Sequence, residues 1–297
     1  MKYVITGGAG NISKPLTEKL LKAGHSVTVI GRNAEHLNPL TALGATAAIG
    51  SFEDVEFLKK TFIGADAVYT MTATHFGVTD LKGFIEKIGK NYAQAIKTAN
   101  IKYVVNLSSV GADVPDGCGP VSGLYRLEQE FAKLKNVNIL HLRPCYFYNN
   151  FFGSISMIKF MNMLGANFGG KNFTMALAHP DDIAEVAFEE LHELKFRDHS
   201  VKYIASDERS TDDIAKVLGT AIDKPELSWV VFTDEEAKQG MVQAGFPEEF
   251  ARNYTEMGHA LQSGFMMADY WENHPLSLGK VKLEDFAKVF ATVYNNN

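Results

Sequence analysis

The sequence predicts a doubly wound α/β fold: a parallel sheet with helices on both faces, carrying a smaller α/β lobe on its C-terminal side. Three observations predict it. Short apolar runs alternate with amphipathic helical patterns through the first half of the chain. A glycine turn, TGGAGNIS over Thr6–Ser13, joins the first of those runs to the first helix. After about residue 145 the rhythm changes, and residues 146–164 become dense in aromatics and methionine. Strands that alternate with helices form parallel sheets, and right-handed crossovers then cover both faces.

Lys2–Thr6 is a β-rich run, and the helix after it sets Ile12, Leu16 and Leu20 on one face. Ser26–Ile30 (SVTVI) is the second strand and Ala45–Ile49 a weaker third. Ala65–Thr70, Lys102–Leu107 and Val137–Leu142 are the fourth, fifth and sixth. Leu81, Ile85, Ile88, Tyr92, Ala95 and Ala99 recur at spacings of three and four, which marks a helix with one buried face. Leu124, Leu127, Phe131 and Leu134 mark another. In the second half a helix follows His179–Asp182, with Asp182 as its cap and Glu185 completing a capping box. A strand is expected at Val201–Ala205, a helix from Thr211, a strand at Leu227–Phe232 and helices over 234–265. Leu283, Phe286, Phe290 and Val293 mark a last helix. No repeat, low-complexity linker or charge run interrupts the chain. The expected division is therefore 1–150 for the sheet domain and 151–297 for a smaller lobe, interleaved with the sheet and shaping a pocket.

Composition narrows the function classes. The chain has 297 residues, 46% hydrophobic and 22% charged, with a net charge of −6. An acidic balance without a Lys/Arg run argues against direct nucleic-acid binding and against anionic membranes. Two cysteines, Cys118 and Cys145, cannot build a disulfide framework, and no Cys/His spacing suits zinc. Cys145 reads as an inert buried thiol. Asp181 and Asp182 lack further ligands, so no metal is expected. No apolar run approaches the ~20 residues of a membrane span. The N-terminus reads as strand and turn instead of signal peptide, and the expected compartment is the cytoplasm.

The glycine turn carries the most chemistry. Gly7 makes a tight turn, and Gly10 lets backbone approach a pyrophosphate. Asn11 and Ile12 then open a helix whose free N–H groups and positive end favour phosphate. Ser13 takes the place where a third glycine often packs helix on strand. A tight turn with no ligand is the plainer alternative. The second strand ends in VTVIGRN. An acidic residue there would hydrogen-bond the ribose 2′-hydroxyl of NAD, whereas Arg32, with Asn33 beside it, suits a 2′-phosphate. NADP(H) is thus favoured over NAD(H), the alternative being a solvated arginine. Ligands of such sheets lie outside the carboxyl ends of the strands. That places Ser51 and Phe52 near the adenine, Met71 and Thr72 near the ribose and pyrophosphate, and Ser108 with Ser109 near the nicotinamide.

On these residues the chain resembles the NmrA-like group of atypical short-chain dehydrogenases/reductases. The likeness rests on TGGAGNIS, GRN at Gly31–Asn33, NLSSVGAD at Asn106–Asp113 and GLYRLEQEF at Gly123–Phe131. It continues in LRPCYFYNNFF at Leu142–Phe152 and HPDDIAEVA at His179–Ala187. The resemblance implies a Rossmann fold, NADP binding and a C-terminal lobe over the nicotinamide. It also implies that the residues after LRP lie beside that ring, which gives Pro144 and Tyr146 cofactor contacts. It does not fix an activity, since the group includes quinone reductases, phenylpropanoid reductases and non-catalytic dinucleotide-binding regulators.

Ordinary short-chain dehydrogenases use a tyrosine and a lysine four residues later, which lowers the phenol pKa. Here Leu124 pairs with Glu128 in one register and Tyr125 with Gln129 in the other, and neither gives Tyr-x-x-x-Lys. A quinone can accept hydride and take its proton from water, so a reductase of an aromatic or small apolar carbonyl substrate remains open. Tyr125, Tyr146 and His75 are the candidate proton donors. The Tyr146–Met163 cluster is either an apolar pocket wall or plain core. Residues 234–268, with Phe246, Phe250, Tyr254 and Met257, form either a lid or a helical hairpin on the core. Two functions follow: an NADPH-dependent reductase, or an NADP(H) redox sensor that acts through a protein partner. A sugar-nucleotide epimerase shares the fold but needs the missing Tyr/Lys pair.

Overall fold

Seven parallel strands make the central sheet of the computed structural model, which describes residues 1–73 and 75–297. In chain order they and the helices between them are β1 (Lys2–Ile5), α1 (Ser13–Lys22), β2 (Ser26–Gly31), α2 (Ala34–Thr41) and β3 (Thr46–Ile49). Next come α3 (Val55–Phe62), β4 (Ala67–Thr70), α4 (Leu81–Ala99), β5 (Tyr103–Leu107), α5 (Pro120–Ala132) and β6 (Asn138–Pro144). The chain then makes β7 (Tyr146–Phe147), a 3₁₀ turn at Tyr148–Ser154, α6 (Ile155–Met161), β8 (Leu164–Ala166), β9 (Thr174–Ala178), α7 (Pro180–Glu193) and β10 (His199–Ile204). The strands order as β10-β6-β5-β4-β1-β2-β3, so β1 lies between β2 and β4 and the order reverses at that point.

The parallel strands are joined by helical crossovers, and the central strands are buried on both faces and mostly apolar. Val104 and Val105 on β5 point to opposite faces and are both fully buried. Leu16 and Leu20 of α1 share one core with Ile183, Ala187 and Leu191 of α7. Leu58, Ile88, Tyr92, Leu127 and Phe131, from α3, α4 and α5, form the core on the opposite face. Each fully buried Leu or Ile there contributes roughly 1.5–3 kcal/mol. α4 follows its predicted periodicity: Leu81, Ile85, Ile88, Tyr92 and Ala95 are all buried. Asp80 caps it by accepting the Gly83 N–H, and Asn100 ends it in the left-handed conformation, φ 54°.

The remaining elements are β11 (Asp207–Ser210), α8 (Thr211–Ala221), β12 (Trp229–Val231), α9 (Asp234–Gln243), α10 (Glu248–Gln262), a 3₁₀ turn at Phe265–Met267, α11 (Ala268–Glu272) and α12 (Leu283–Asn296). A second sheet, β11-β9-β7, and the β12-β8 pair carry this part. β9 and β11 lie where no strand is read in the sequence. β11 (DERS) is polar and only partly covered, so its strand character comes from antiparallel pairing with β9 and not from its own pattern.

One helix start differs from expectation. His179, not Asp182, caps α7: its ring accepts the Asp181 N–H, and Pro180 takes the first helical position, where it needs no N–H partner. Asp182 is buried in the first turn, and its carboxylate accepts from Ser206 Oγ and from the Lys280 and Val281 N–H groups. It therefore ties the chain before α12 to α7. The aromatic segment divides between its two readings. Tyr148, Phe151, Ile155 and Ile158 are core beneath α12, where Tyr148 stacks on Phe286. Tyr146, Phe147, Asn149 and Asn150 line a cavity.

Candidate functional site

The glycine turn sits at the reversal point of the sheet, between the ends of β1 and β4. Gly7 has φ 93°, and a Cβ there would lie 2.5 Å from Ser13 Oγ and 3.0 Å from Met71 Cγ. A Cβ on Gly10 would meet the Gly7 carbonyl at 3.0 Å. Both positions are therefore bare backbone by necessity. Ser13 Oγ donates to the Thr6 carbonyl at 2.8 Å, which fastens the helix start to the strand end. No side chain caps α1. Its first turn offers backbone N–H groups and a positive dipole end to whatever fills the turn, a cradle that fits a pyrophosphate. The β4 end is pinned beside it: the Met71 N–H donates to Thr6 Oγ1 and the Met71 carbonyl accepts from Tyr92 Oη.

From this turn a cavity of about 400 Å³ extends over the ends of β4, β5 and β6. Gly7, Gly10, Asn11 and Ile12 form its floor, with Met71 and Thr72 beside them. Ser108, Leu124 and Tyr146 supply its walls. Tyr254, Met257 and Leu261 of α10 and Met266 cover it, so most of its surface is apolar.

Behind Ser108 lies a buried ionic cluster. Ser108 Oγ donates to Glu128 Oε1 at 2.5 Å. Glu128 takes a bidentate grip from Arg143, Nη2 to Oε2 at 2.7 Å and Nε to Oε1 at 3.2 Å. Arg143 also reaches Tyr203 Oη and the Ala112 carbonyl. The paired carboxylate raises the Arg143 guanidinium against the opposing effect of its burial. Since Ser108 commits its hydrogen to Glu128, its oxygen faces the cavity with lone pairs only. Sequence reasoning did not foresee the pair. Its trace is a charge in each of two apolar settings, Glu128 between Leu127 and Phe131 on α5 and Arg143 in strand β6, and buried charges require partners.

Nine of the expected contact residues meet at the cavity: Gly7, Gly10, Asn11, Ile12, Met71, Thr72, Ser108, Ser109 and Tyr146. Arg32, Asn33, Ser51 and Phe52 do not line it. They follow the paired strand ends Gly31 and Ile49. Arg32 is exposed, and no carboxylate pairs with it among the described residues. Asn33 caps α2 by accepting the Glu35 N–H, and Ser51 Oγ accepts the Glu53 N–H. Pro144 is buried in the sheet, where its carbonyl accepts the Val110 N–H, and it does not face the cavity.

Of the candidate proton donors, only Tyr146 reaches the cavity. Burial, with Tyr254 nearby, pushes its phenol well above the usual value, against a hydrogen bond with Asn150. That makes it a weak acid. Tyr125 is half-buried on α5 and faces away, because its neighbour Leu124 takes the wall position. His75 packs on Phe84, and its Nδ1 accepts the Gly77 N–H. Cys145 borders the cavity, and burial pushes its thiol far above the usual range. Among the described residues no group of three or more His, Cys, Asp or Glu could hold a metal ion, and no helix is long and apolar enough to cross a membrane.

Residues 7–135 match a protein family described as NAD(P)H-binding. The chain is 23% identical to an NAD(P)H azoreductase of Xenophilus azovorans over 98% of both chains. Its fold superposes on the triphenylmethane reductase of Citrobacter sp., solved with NADP(H), with a TM-score of 0.79 at 20% identity, covering 97% of this chain and 99% of that one. An NADPH-dependent quinone oxidoreductase of Escherichia coli gives a TM-score of 0.78 at 18% identity, covering 97% and 98%.

Proposed function

We propose that the protein, whose residues 7–135 match an NAD(P)H-binding family and whose fold is shared with NADP(H)-dependent reductases, is an NADPH-dependent reductase of a quinone or small apolar carbonyl. One observation carries this reading: an apolar cavity opens directly onto the glycine cradle, where the reactive end of a dinucleotide lies in such sheets. The names of the matched azoreductase, dye reductase and quinone oxidoreductase support it, since all three denote reductions of conjugated acceptors.

Bound NADPH would supply the hydride. The protein's own residues bind, orient and exclude water. Gly7 and Gly10 admit the pyrophosphate, and the uncapped start of α1 holds it. Arg32, exposed beyond β2, would meet a 2′-phosphate bidentately. Ser108 is fixed by Glu128 and can only accept a hydrogen bond, which suits an amide donor such as the nicotinamide carboxamide. Leu124, Met257 and Met266 keep the acceptor dry and flat against the ring.

α5 contains no lysine, and Leu124 stands one turn before Glu128, so this helix offers the acceptor no Tyr-x-x-x-Lys pair. A carbonyl that needs strong acid catalysis is therefore a poor substrate. A quinone gains the hydride and one proton from water, leaves as the hydroquinone, and the dinucleotide leaves oxidised. The test is NADPH consumption against a panel of quinones and simple ketones. Acceptor-dependent oxidation with quinones far ahead of ketones is expected. The missing acid–base pair also favours a second reading, a redox sensor. Tight NADPH binding with no turnover on any acceptor would replace the first reading by that one.

A further inference from the structure

A ladder of aromatic rings climbs from the cavity to the surface. Tyr254 lines the cavity. Phe250, one turn earlier on α10, stacks on it with centroids 3.9 Å apart and planes at 24°. Phe246 stacks on Phe250 at 4.9 Å and 18°. Phe76, from the loop after β4, reaches both rings, 5.1 Å from Phe250 and 6.0 Å from Phe246. Exposure rises outward: Tyr254 and Phe250 are half-buried, Phe246 is 39% exposed and Phe76 50%.

Two chain segments thus place large rings beside one cavity, with Phe246 and Phe76 exposed to solvent. Exposed clusters of this kind mark binding surfaces. The size of the cavity adds a second argument. A space of about 400 Å³ must take the nicotinamide and its ribose before any acceptor. A single-ring acceptor can share what is left, whereas a larger one must extend past Tyr254. Past Tyr254 the described residues offer an aromatic edge: Phe250 and Phe246 stack behind it, and Phe76 lies tilted at 42° and 37° against them. Ring edges in a row, with the tilted Phe76 beside them, recognise the face of a flat π-system by edge-to-face contact.

We propose that Phe76, Phe246, Phe250 and Tyr254 form an outer subsite for the distal rings of a planar polycyclic quinone. The preferred acceptors are then fused-ring quinones and not single-ring ones. The inner half of this site rests on the reductase reading above.

The test compares phenanthrenequinone with benzoquinone, using NADPH and the full chain, in wild type, Phe250→Ala and the more exposed Phe76→Ala. The kcat/KM ratio of the large to the small acceptor is expected to fall about five- to tenfold in each variant, nearly all through KM. Phe250→Leu is expected to fall less. An unchanged ratio, or equal losses on both acceptors accompanied by a lower Tm, would reduce the ladder to a staple for α10 and overturn the proposal. Binding of phenanthrenequinone to NADP⁺-loaded protein, read by fluorescence quenching, separates the two readings. If neither quinone turns over but binding persists and weakens about fivefold in Phe76→Ala, the reductase reading fails and the subsite stands. If phenanthrenequinone does not bind the loaded protein, the subsite fails.

Discussion

Replacing Glu128 by glutamine would leave the Arg143 guanidinium charged, buried and without its bidentate partner. The two side chains are only 7% and 9% exposed, so solvent screens little of the loss. Breaking a buried pair from one side costs about 3–5 kcal/mol, since the remaining charge stays desolvated. Arg143 would keep Tyr203 Oη at 3.1 Å and the Ala112 carbonyl at 3.3 Å, with the Asp269 carboxylate at 3.5 Å. These partners, and the oxygen that glutamine retains, hold the expected cost to the low end, about 3 kcal/mol. For a chain of this size that is a fall in Tm of roughly 5 °C. Calorimetric melting of Glu128→Gln, Arg143→Met and the Glu128→Gln/Arg143→Met double variant completes the cycle. Each single variant is expected to be destabilised, and the double variant to recover much of the loss, because it removes both charges. Singles that each cost less than about 1 kcal/mol, or a double that equals their sum, would refute the view that this pair is strongly coupled.

Three further outcomes follow from the same geometry. Gly10→Ala places a Cβ against the Gly7 carbonyl and over the phosphate cradle; NADPH affinity measured by calorimetry should fall more than about tenfold, with a much smaller change in Tm. Cys118 and Cys145 are buried and their thiols are raised, so native protein should show no rapid reaction with a thiol reagent near neutral pH, and both should react once unfolded. Burial raises Cys118 from 9.0 to about 12 and Tyr3 from 10.0 to about 12. Both groups stay neutral in the fold while the unfolded chain loses their protons. Their contribution is therefore intact below pH 9 and is lost as pH rises toward 12, by up to about 1.4 kcal/mol per pH unit for each group. Urea denaturation between pH 8 and pH 12 measures it, and a flat profile would count against their burial.

The Rossmann half was legible because its signals are local and strong. β1 to β6 alternate with helices, and the α4 positions from Leu81 to Ala95 bury as their spacing requires. The cradle was legible for the same reason, since Gly7 and Gly10 mark backbone where no Cβ fits. The second half was less so. β9 and β11 exist through their pairing with each other, a contact between residues 174–178 and 207–210 that no local period encodes. The α7 cap went to His179 because Pro180 fits the first helical position, which released Asp182 for a distant segment. Tyr125 and Leu124 are adjacent in sequence, and only the orientation of α5 decides which one faces the cavity. The Glu128–Arg143 pair joins a helix to a strand 15 residues on, visible in sequence only as two charges without an evident purpose.

The most direct test of the central claim is calorimetric titration of NADPH and NADH into wild type and Arg32→Ala. Arg32 lies just beyond β2, is exposed and has no competing ion pair among the described residues, so its substitution should spare the fold. The expected result is selective NADPH binding in wild type, weakened about tenfold or more in Arg32→Ala, with NADH affinity nearly unchanged. Equal affinity for both dinucleotides, insensitive to Arg32, would contradict the NADP(H) assignment, and failure of either to bind would contradict the account as a whole.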